Sequence, residues 1–400
     1  MTKEIKKLLK SYVFRKFDNV YFLVPLHEDP TNLINLNLSG AIIWHLASQG
    51  ISSGQVINVL AEYYHLSKEK TEIIYLDFFK DIITKRQNIN KDKQLKTTKL
   101  NKLQRKIKFK KATLELTGKC NLNCFHCYAI GKRKLPDMST ERILKLIDEM
   151  LLENTLMVSL TGGEIFNRKD FIKIYTYLRE KGFIVSMISN ATMMTDEVLE
   201  VLKKYPPYHM KISLYGSTPE VHDKVTRVPG SFEKTISSMK KLRDAGINCF
   251  FGVTVFKETT SDMENIKNLA DSMKVLVRFG TSLMPTLEKD HSPLIHQASR
   301  DIIKKAKSLN KTANKYLIQY RIRVNKVEPG SIYPCNVGEC NYTISSDGSL
   351  LLCITDLNKE ISILKEPLRS ALEKLKKARL DRLKIPMDCK SCPMVYNLNN

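Results

Sequence analysis

Cys120, Cys124 and Cys127 lie on one short segment in the arrangement C-x-x-x-C-x-x-C, with Tyr128 directly after them. Soft thiolates this close in sequence can converge on one metal centre, and their number selects its kind. Structural zinc takes four ligands, and His126 can supply the fourth. Three thiolates on a four-iron cube instead leave one iron open to a substrate or cofactor. Two further groups could do chemistry with such a centre. Gly162-Gly163-Glu164 combines a glycine pair, which lets backbone approach a neighbour closely, with a carboxylate able to accept from an ammonium group. Ser189, Asn190 and Ser213 are polar residues at the ends of apolar runs. Five more cysteines, Cys335, Cys340, Cys353, Cys389 and Cys392, crowd the last part of the chain, and Cys249 stands alone.

The elements that must position these groups alternate along the chain. Strands are predicted at Ala112 to Thr117, Leu156 to Leu160, Phe183 to Ile188, His209 to Leu214, Asn248 to Phe256 and Val275 to Gly280. Amphipathic helices separate them, such as Ser139 to Leu152, with Ser139 as N-cap and Ile143, Ile147, Met150 and Leu151 on one face. Six strand-helix repeats imply parallel strands with right-handed crossovers, an open or closed α/β barrel over residues 112–310. The first cysteines and the Gly-Gly-Glu segment then fall at strand C-terminal ends, where such barrels carry their active sites. The alternation weakens beyond Asn310, and residues 311–400 read as a small cysteine-bound domain.

Ahead of the barrel, residues 1–85 hold no cysteine. Tyr21 to Val24 and Leu33 to Leu36 read as paired strands. Helices follow at Gly40 to Ser48, Ser53 to Tyr64 and Lys68 to Ile83, the last two capped by Ser53 and Ser67. Strands with three short helices describe a winged-helix-like module. The whole chain has 400 residues and a net charge of +23, with 65 Lys and Arg against 42 Asp and Glu. Of that excess, +11 falls between Lys85 and Lys111, which reads as a basic linker (86–111), a tether or frayed helix. With the excess in a linker, no nucleic acid partner is expected. An RNA-modifying enzyme is the rival reading, since Lys106 to Lys110 could touch phosphates. The absence of a long apolar run implies no membrane span and a cytoplasmic setting.

The cysteine segment resembles the signature of the radical S-adenosylmethionine (SAM) enzymes, matching at Cys120, Cys124, Cys127 and the aromatic Tyr128. The resemblance implies a 4Fe-4S cluster on the three cysteines and SAM bound to its open iron, with electron transfer yielding a 5′-deoxyadenosyl radical. It gives Gly162, Gly163 and Glu164 the role of holding the SAM amino group. Ser189, Asn190 and Ser213 take contacts to the ribose and methionine carboxylate, as does Arg227 before Pro229-Gly230. A flavodoxin- or ferredoxin-type electron donor is implied as well. The C-terminal pattern Cys340-x7-Gly348-x4-Cys353, then Cys389-x-x-Cys392, resembles the SPASM and Twitch auxiliary domains of this family. It looks like the shorter Twitch type with one auxiliary iron-sulfur cluster, four of the five cysteines Cys335, Cys340, Cys353, Cys389 and Cys392 sufficing for a closed site. Gly348 is expected to turn a hairpin between ligand-bearing strands. A zinc knuckle is the other reading.

The N-terminal segment Leu36 to Trp44 resembles the peptide-chaperone domain of pyrroloquinoline quinone biosynthesis, a recognition element for ribosomally made precursor peptides. The leader of such a peptide adds as a strand to the module's sheet. The three resemblances together imply a precursor-peptide maturase that forms a sulfur-to-carbon thioether crosslink, of the sactipeptide or ranthipeptide type. Carbon-carbon crosslinking and epimerisation are the close rivals. For Cys249 two readings stand: a buried small hydrophobe, or a thiol donating hydrogen to a substrate radical as in peptide epimerases of the superfamily.

Overall fold

The computed structural model describes residues 2–17, 19–91, 109–281, 283–288, 290–310, 313, 340–354 and 361–381. The six predicted barrel strands are all present: β4 (Lys110–Thr117), β5 (Thr155–Gly162), β6 (Ile184–Ser189), β7 (His209–Ser213), β8 (Cys249–Thr254) and β9 (Leu276–Gly280). They pair in parallel in that order. One alternation of each strand is apolar and packs under the helices, as with Leu114 and Leu116, Val158 and Leu160, and Ile212 and Leu214. The first crossover helix, α5 (Thr140–Leu152), buries Ile143, Leu146, Ile147 and Met150, and the Ser139 side chain accepts from the Arg142 amide at its start. The result is the expected partial (β/α)6 barrel.

Before it, β1 (Tyr12–Phe17), β2 (Val20–Pro25) and β3 (Ile34–Leu36) form an antiparallel sheet in that order. Four helices accompany the sheet: α1 (Lys3–Leu9), α2 (Leu38–Ser48), α3 (Ser53–Tyr64) and α4 (Lys68–Lys91). The predicted strand pair is β2 with β3. Neither α1 nor β1 was foreseen, because Tyr12 to Phe17 carries two cations that break its apolar alternation. The cap of α3 is Ser52, not Ser53: a capping box with Gln55 makes Ser53 the first helical residue. Ser67 does accept from the Lys70 amide. Helix α4 runs through Lys91, and Lys110 and Lys111 belong to β4, so both ends of the expected linker are regular structure; positions 92–108 lie outside the described residues.

The module is docked on the N-terminal ends of the barrel strands. Phe17, Phe22, Val24 and Leu33 form one buried cluster with Leu156, Met157, Ile184 and Tyr208. Two buried arginines cross the joint. Arg15 donates to the carbonyls of Thr155 (2.9 Å) and Gly182 (3.2 Å), and Arg179 donates to those of Phe183 (2.6 Å) and Pro25 (3.0 Å).

At the C-terminal side, β10 (Asn341–Ile344) pairs in parallel with β4 and antiparallel with β11 (Leu350–Leu351), extending the barrel sheet to eight strands. Gly348 turns this hairpin with φ +82, as expected for a residue free of a Cβ. The last helix, α12 (Leu368–Asp381), buries Leu368, Ala371 and Leu375 in the same core as the barrel. The described part of this region therefore shares the barrel's core and does not build one of its own. Cys335, Cys389 and Cys392 lie outside the described residues.

Candidate active site

Thr117 ends β4, and the cysteine loop begins one residue later. Asp137 fixes its origin: its carboxylate accepts the Thr117 hydroxyl at 2.7 Å and the Gly118 amide at 2.8 Å. The middle of the loop is held against the C-terminal end of α8 (Pro219–Thr226), where the amides of Asn123 and Phe125 donate to the carbonyls of Thr226 and Val225. Arg133 donates to the Leu122 carbonyl. Three separate elements thus hold one irregular segment.

Gly162 and Gly163 explain how the second strand end meets this loop. The Gly163 amide donates to the Thr117 carbonyl at 2.8 Å, and the Glu164 amide to that of Lys119 at 2.9 Å. A Cβ on Gly163 would lie 2.1 Å from the Lys119 oxygen, and Gly162 has φ +135. The close approach foreseen for the glycines is made to the loop's own backbone. Glu164 is fully buried, and its carboxylate accepts the Ser189 hydroxyl (2.6 Å), the Asn190 amide (2.7 Å) and the Phe166 amide (3.1 Å). Its oxygens clasp β5 to the end of β6.

Asn190 joins that clasp to the cysteines. Its Nδ2 donates to Asn121 Oδ1 at 3.1 Å and lies 3.9 Å from Cys120 Sγ, which also accepts the Leu122 amide at 3.4 Å. Ser213 ends β7 beside the buried Tyr215, whose hydroxyl burial holds well above its usual range. Arg227 is the left-handed C-cap of α8 with an exposed side chain. The structure therefore brings the three cysteines, the glycine pair, Glu164, Ser189 and Asn190 together at the C-terminal mouth, with Ser213 and Arg227 on the next strand-helix unit.

The donor set can be tested against the group it would hold. Burial raises the Cys120 thiol and pushes that of Cys124 up to about 12, and the sulfurs of Cys120 and Cys127 raise Cys124 further, so the three share one neighbourhood. Among the described residues no three His, Cys, Asp or Glu side chains converge at the spacing of a single ion. His126 forms no ligand group with the thiols among the described residues. Its ring packs 4.6 Å from Phe256 and 4.9 Å from Tyr215, its Nδ1 is buried without a partner, and burial lowers it to about 4. Three thiols on one loop that share one neighbourhood, with N–H donors toward the Cys120 sulfur, fit a four-iron cube that keeps one iron open.

Cys340 and Cys353 flank the β10–β11 hairpin, and the Lys111 amide donates to the Cys340 carbonyl at 2.7 Å, which puts this pair near the opposite end of β4 from the cysteine loop. Cys249 faces away from the lumen. It packs on the helix-side core with its Sγ 3.4 Å from the Met239 sulfur, and burial pushes its thiol up to about 12, the geometry of a small hydrophobe. Sequence reading missed Asp137, as well as the buried Lys132–Glu115 pair that Ser345 completes at 3.0 Å. Asp137 stands in a loop with no motif. The Glu115 charge on a strand otherwise facing a core was the signal for the pair.

Residues 114–270 match the Radical SAM superfamily profile. An AdoMet-dependent heme synthase of Methanosarcina barkeri is 29% identical over 191 residues, 47% of this chain and 55% of that protein. The antilisterial bacteriocin subtilosin biosynthesis protein AlbA of Bacillus subtilis is 35% identical over 167 residues, 41% of this chain and 37% of that protein. The chain thus spans about half the length, or less, of these curated relatives. The crystal structure of Streptococcus suis SuiB bound to precursor peptide SuiA superposes with a TM-score of 0.58 at 15% identity, over 96% of this chain and 93% of that one. No helix among the described residues is long and apolar enough to cross a membrane.

Proposed function

We propose that this chain, whose residues 114–270 match the Radical SAM superfamily profile, is a maturase acting on a ribosomally synthesised precursor peptide and forming a sulfur-to-carbon thioether. Cys120, Cys124 and Cys127 would hold the 4Fe-4S cluster, with SAM at the adjoining mouth. When bound, these cofactors supply hydrogen abstraction from a substrate carbon. The protein's own part is to orient them. Asp137 and the glycine pair fix the loop, Asn190 donates toward Cys120, and Ser213, Tyr128 and Arg227 would contact SAM.

The observation that carries the reading is the arrangement of the two ends. A module with a free sheet edge is clamped by buried arginines to one end of a barrel whose other end holds the cysteine loop. The module meets the barrel through Arg15 and Phe17 of β1, Phe22 and Val24 of β2 and Leu33, whereas β3 pairs only with β2 among the described residues and leaves its outer edge for another strand. A leader peptide would add to β3 and send its core segment to the barrel. The likeness to AlbA and to the SuiB–SuiA complex supports a peptide substrate. Cys340 and Cys353, with cysteines outside the described residues, would hold one auxiliary cluster, and a flavodoxin- or ferredoxin-type protein would supply electrons.

Anaerobic incubation with SAM, a reductant and a small cysteine-bearing peptide encoded beside this chain tests the proposal. Formation of 5′-deoxyadenosine with loss of two hydrogens from the peptide, at a site that blocks cysteine alkylation, is the expected result. Loss of two hydrogens with the cysteine still alkylatable would mean carbon-carbon crosslinking. An unchanged mass that gains one deuterium in heavy water would mean epimerisation.

A further inference from the structure

The inward faces of the barrel strands carry a set of groups that the cysteine site does not use. On β7 to β9 one alternation, Met210 and Ile212, Phe251 and Val253, Val277 and Phe279, joins the helix-side core. Period two sends the opposite alternation into the lumen: His209 and Lys211 on β7 and Arg278 on β9, with Lys111 facing them from β4. Lys111 and His209 lie three strands apart in the sheet. Even so, the positive charges of Lys111 and Lys211 both add to the burial that lowers His209, and Arg278 adds to the lowering of Lys211. His209 and Lys211, two residues apart on one face of β7, thus share the inward side of that strand, and the charge of Lys111 is felt there from β4.

Lys211 has a built berth there. A Cβ on Gly252 of the adjacent strand would lie 2.6 Å from Lys211 Cδ and 2.7 Å from its Cγ, so the bare glycine is what lets the lysine stem cross the strand. Burial depresses both Lys111 and Lys211, and among the described residues no carboxylate counteracts it at either one. The acid on the inward face of β4, Glu115, is already taken by Lys132 and Ser345. Half-buried cations of one sign repel one another, and an anion that joins them relieves both the repulsion and part of the cost of burial.

We propose that the barrel lumen binds a carboxylate of the substrate, held by Lys211 with Lys111 and His209 beside it. Lys211 lies two residues before Ser213, about 7 Å deeper along the strand, so the carboxylate anchors the segment whose neighbouring atoms reach the mouth. Resting on the peptide-maturase reading, the source is an acidic side chain or the C-terminal carboxylate of the core peptide. A porphyrin propionate offers the same chemistry from another source.

Saturation-transfer NMR on the reconstituted holoenzyme tests this with three probes: N-acetylglutamic acid α-amide, its neutral isostere N-acetylglutamine amide, and coproporphyrin. The glutamic probe is expected to bind at least tenfold more tightly than the glutamine probe, and that preference to vanish in Lys211→Met. Equal binding of acid and amide by the wild-type protein overturns the proposal without need of any variant. So does a preference that persists in both Lys211→Met and Lys111→Met, or a Lys211→Met protein that loses SAM affinity while keeping the preference. Lys211-dependent binding of coproporphyrin with no binding of the glutamic probe upholds the carboxylate site and removes the peptide as its source.

Discussion

The Ser189 hydroxyl donates to the Glu164 carboxylate at 2.6 Å, and this bond between two strand ends sets the floor of the cysteine loop. The same carboxylate takes the Asn190 amide, and Asn190 in turn reaches Asn121 and Cys120. Glu164→Gln replaces one acceptor oxygen with a donor, leaving at least one buried N–H facing another. A loss of about 1–3 kcal/mol of stability is expected, with weaker SAM binding at unchanged iron content. Calorimetric unfolding and equilibrium dialysis with labelled SAM measure the two, and wild-type values in both would remove the clasp from its assigned role.

Gly163→Ala places a methyl group against the Lys119 carbonyl, a backbone atom that cannot swing aside. The loop must shift, at about 1–3 kcal/mol, and with it the thiols. Iron incorporation on reconstitution should fall by more than half, whereas Gly54→Ala, where a Cβ meets nothing, should incorporate as the wild type does.

How much of this was legible beforehand depended on whether the controlling interactions were local. The six strands and their helices announce themselves through period and caps, and Gly348 was read correctly because a two-strand turn needs a left-handed residue that only glycine adopts freely. The donors to Glu164 were not all legible. A carboxylate after Gly-Gly reads as a ligand for ammonium; the Phe166 amide that reaches it is local, but Ser189 and Asn190 come from the end of β6, about 25 residues on. Likewise Arg15 broke the apolar alternation of β1 and hid the strand. Its partners are carbonyls of residues 155 and 182, set by docking and invisible to any local pattern.

Those docking arginines carry a prediction of their own. Arg179 satisfies carbonyls on both sides of the joint, at Phe183 and at Pro25 and Leu26. Arg179→Met keeps the stem and strands two buried acceptors, at Phe183 and Pro25, each worth about 1 kcal/mol or more, and a half-buried one at Leu26. The N-terminal module should then open ahead of the barrel. Hydrogen exchange in β1 and β2 is expected to speed up by at least tenfold while β5 and β6 keep their protection; uniform change across both would show that the joint is not a separable unit.

Cysteine variants separate the two roles assigned to sulfur. Alanine at Cys120, Cys124 or Cys127 should abolish SAM cleavage and reduce iron from about eight to about four atoms per chain, if each cluster holds four. Cys249→Ala removes only a sulfur contact to Met239, so peptide turnover should match the wild type. A Cys249→Ala enzyme that cleaves SAM and releases an unquenched peptide radical would instead identify Cys249 as a hydrogen donor.

His222 makes the pH dependence testable. Its Nδ1 accepts the Tyr215 amide at 3.2 Å, which fixes the neutral ring, and burial lowers its folded pKa to about 4. The unfolded ring titrates near its ordinary value of 6.5. Below that pH the unfolded chain takes up a proton that the folded one refuses, so the contribution is fully present above 6.5 and is lost as pH falls toward 4. Between pH 7.5 and 5.5 the loss is about 1 kcal/mol, from the one unit traversed below 6.5. His222→Gln cannot take up that proton. Its urea unfolding free energy should therefore fall by about 1 kcal/mol less than the wild type's over the same interval; parallel pH curves for the two proteins would show that His222 is not the group that titrates.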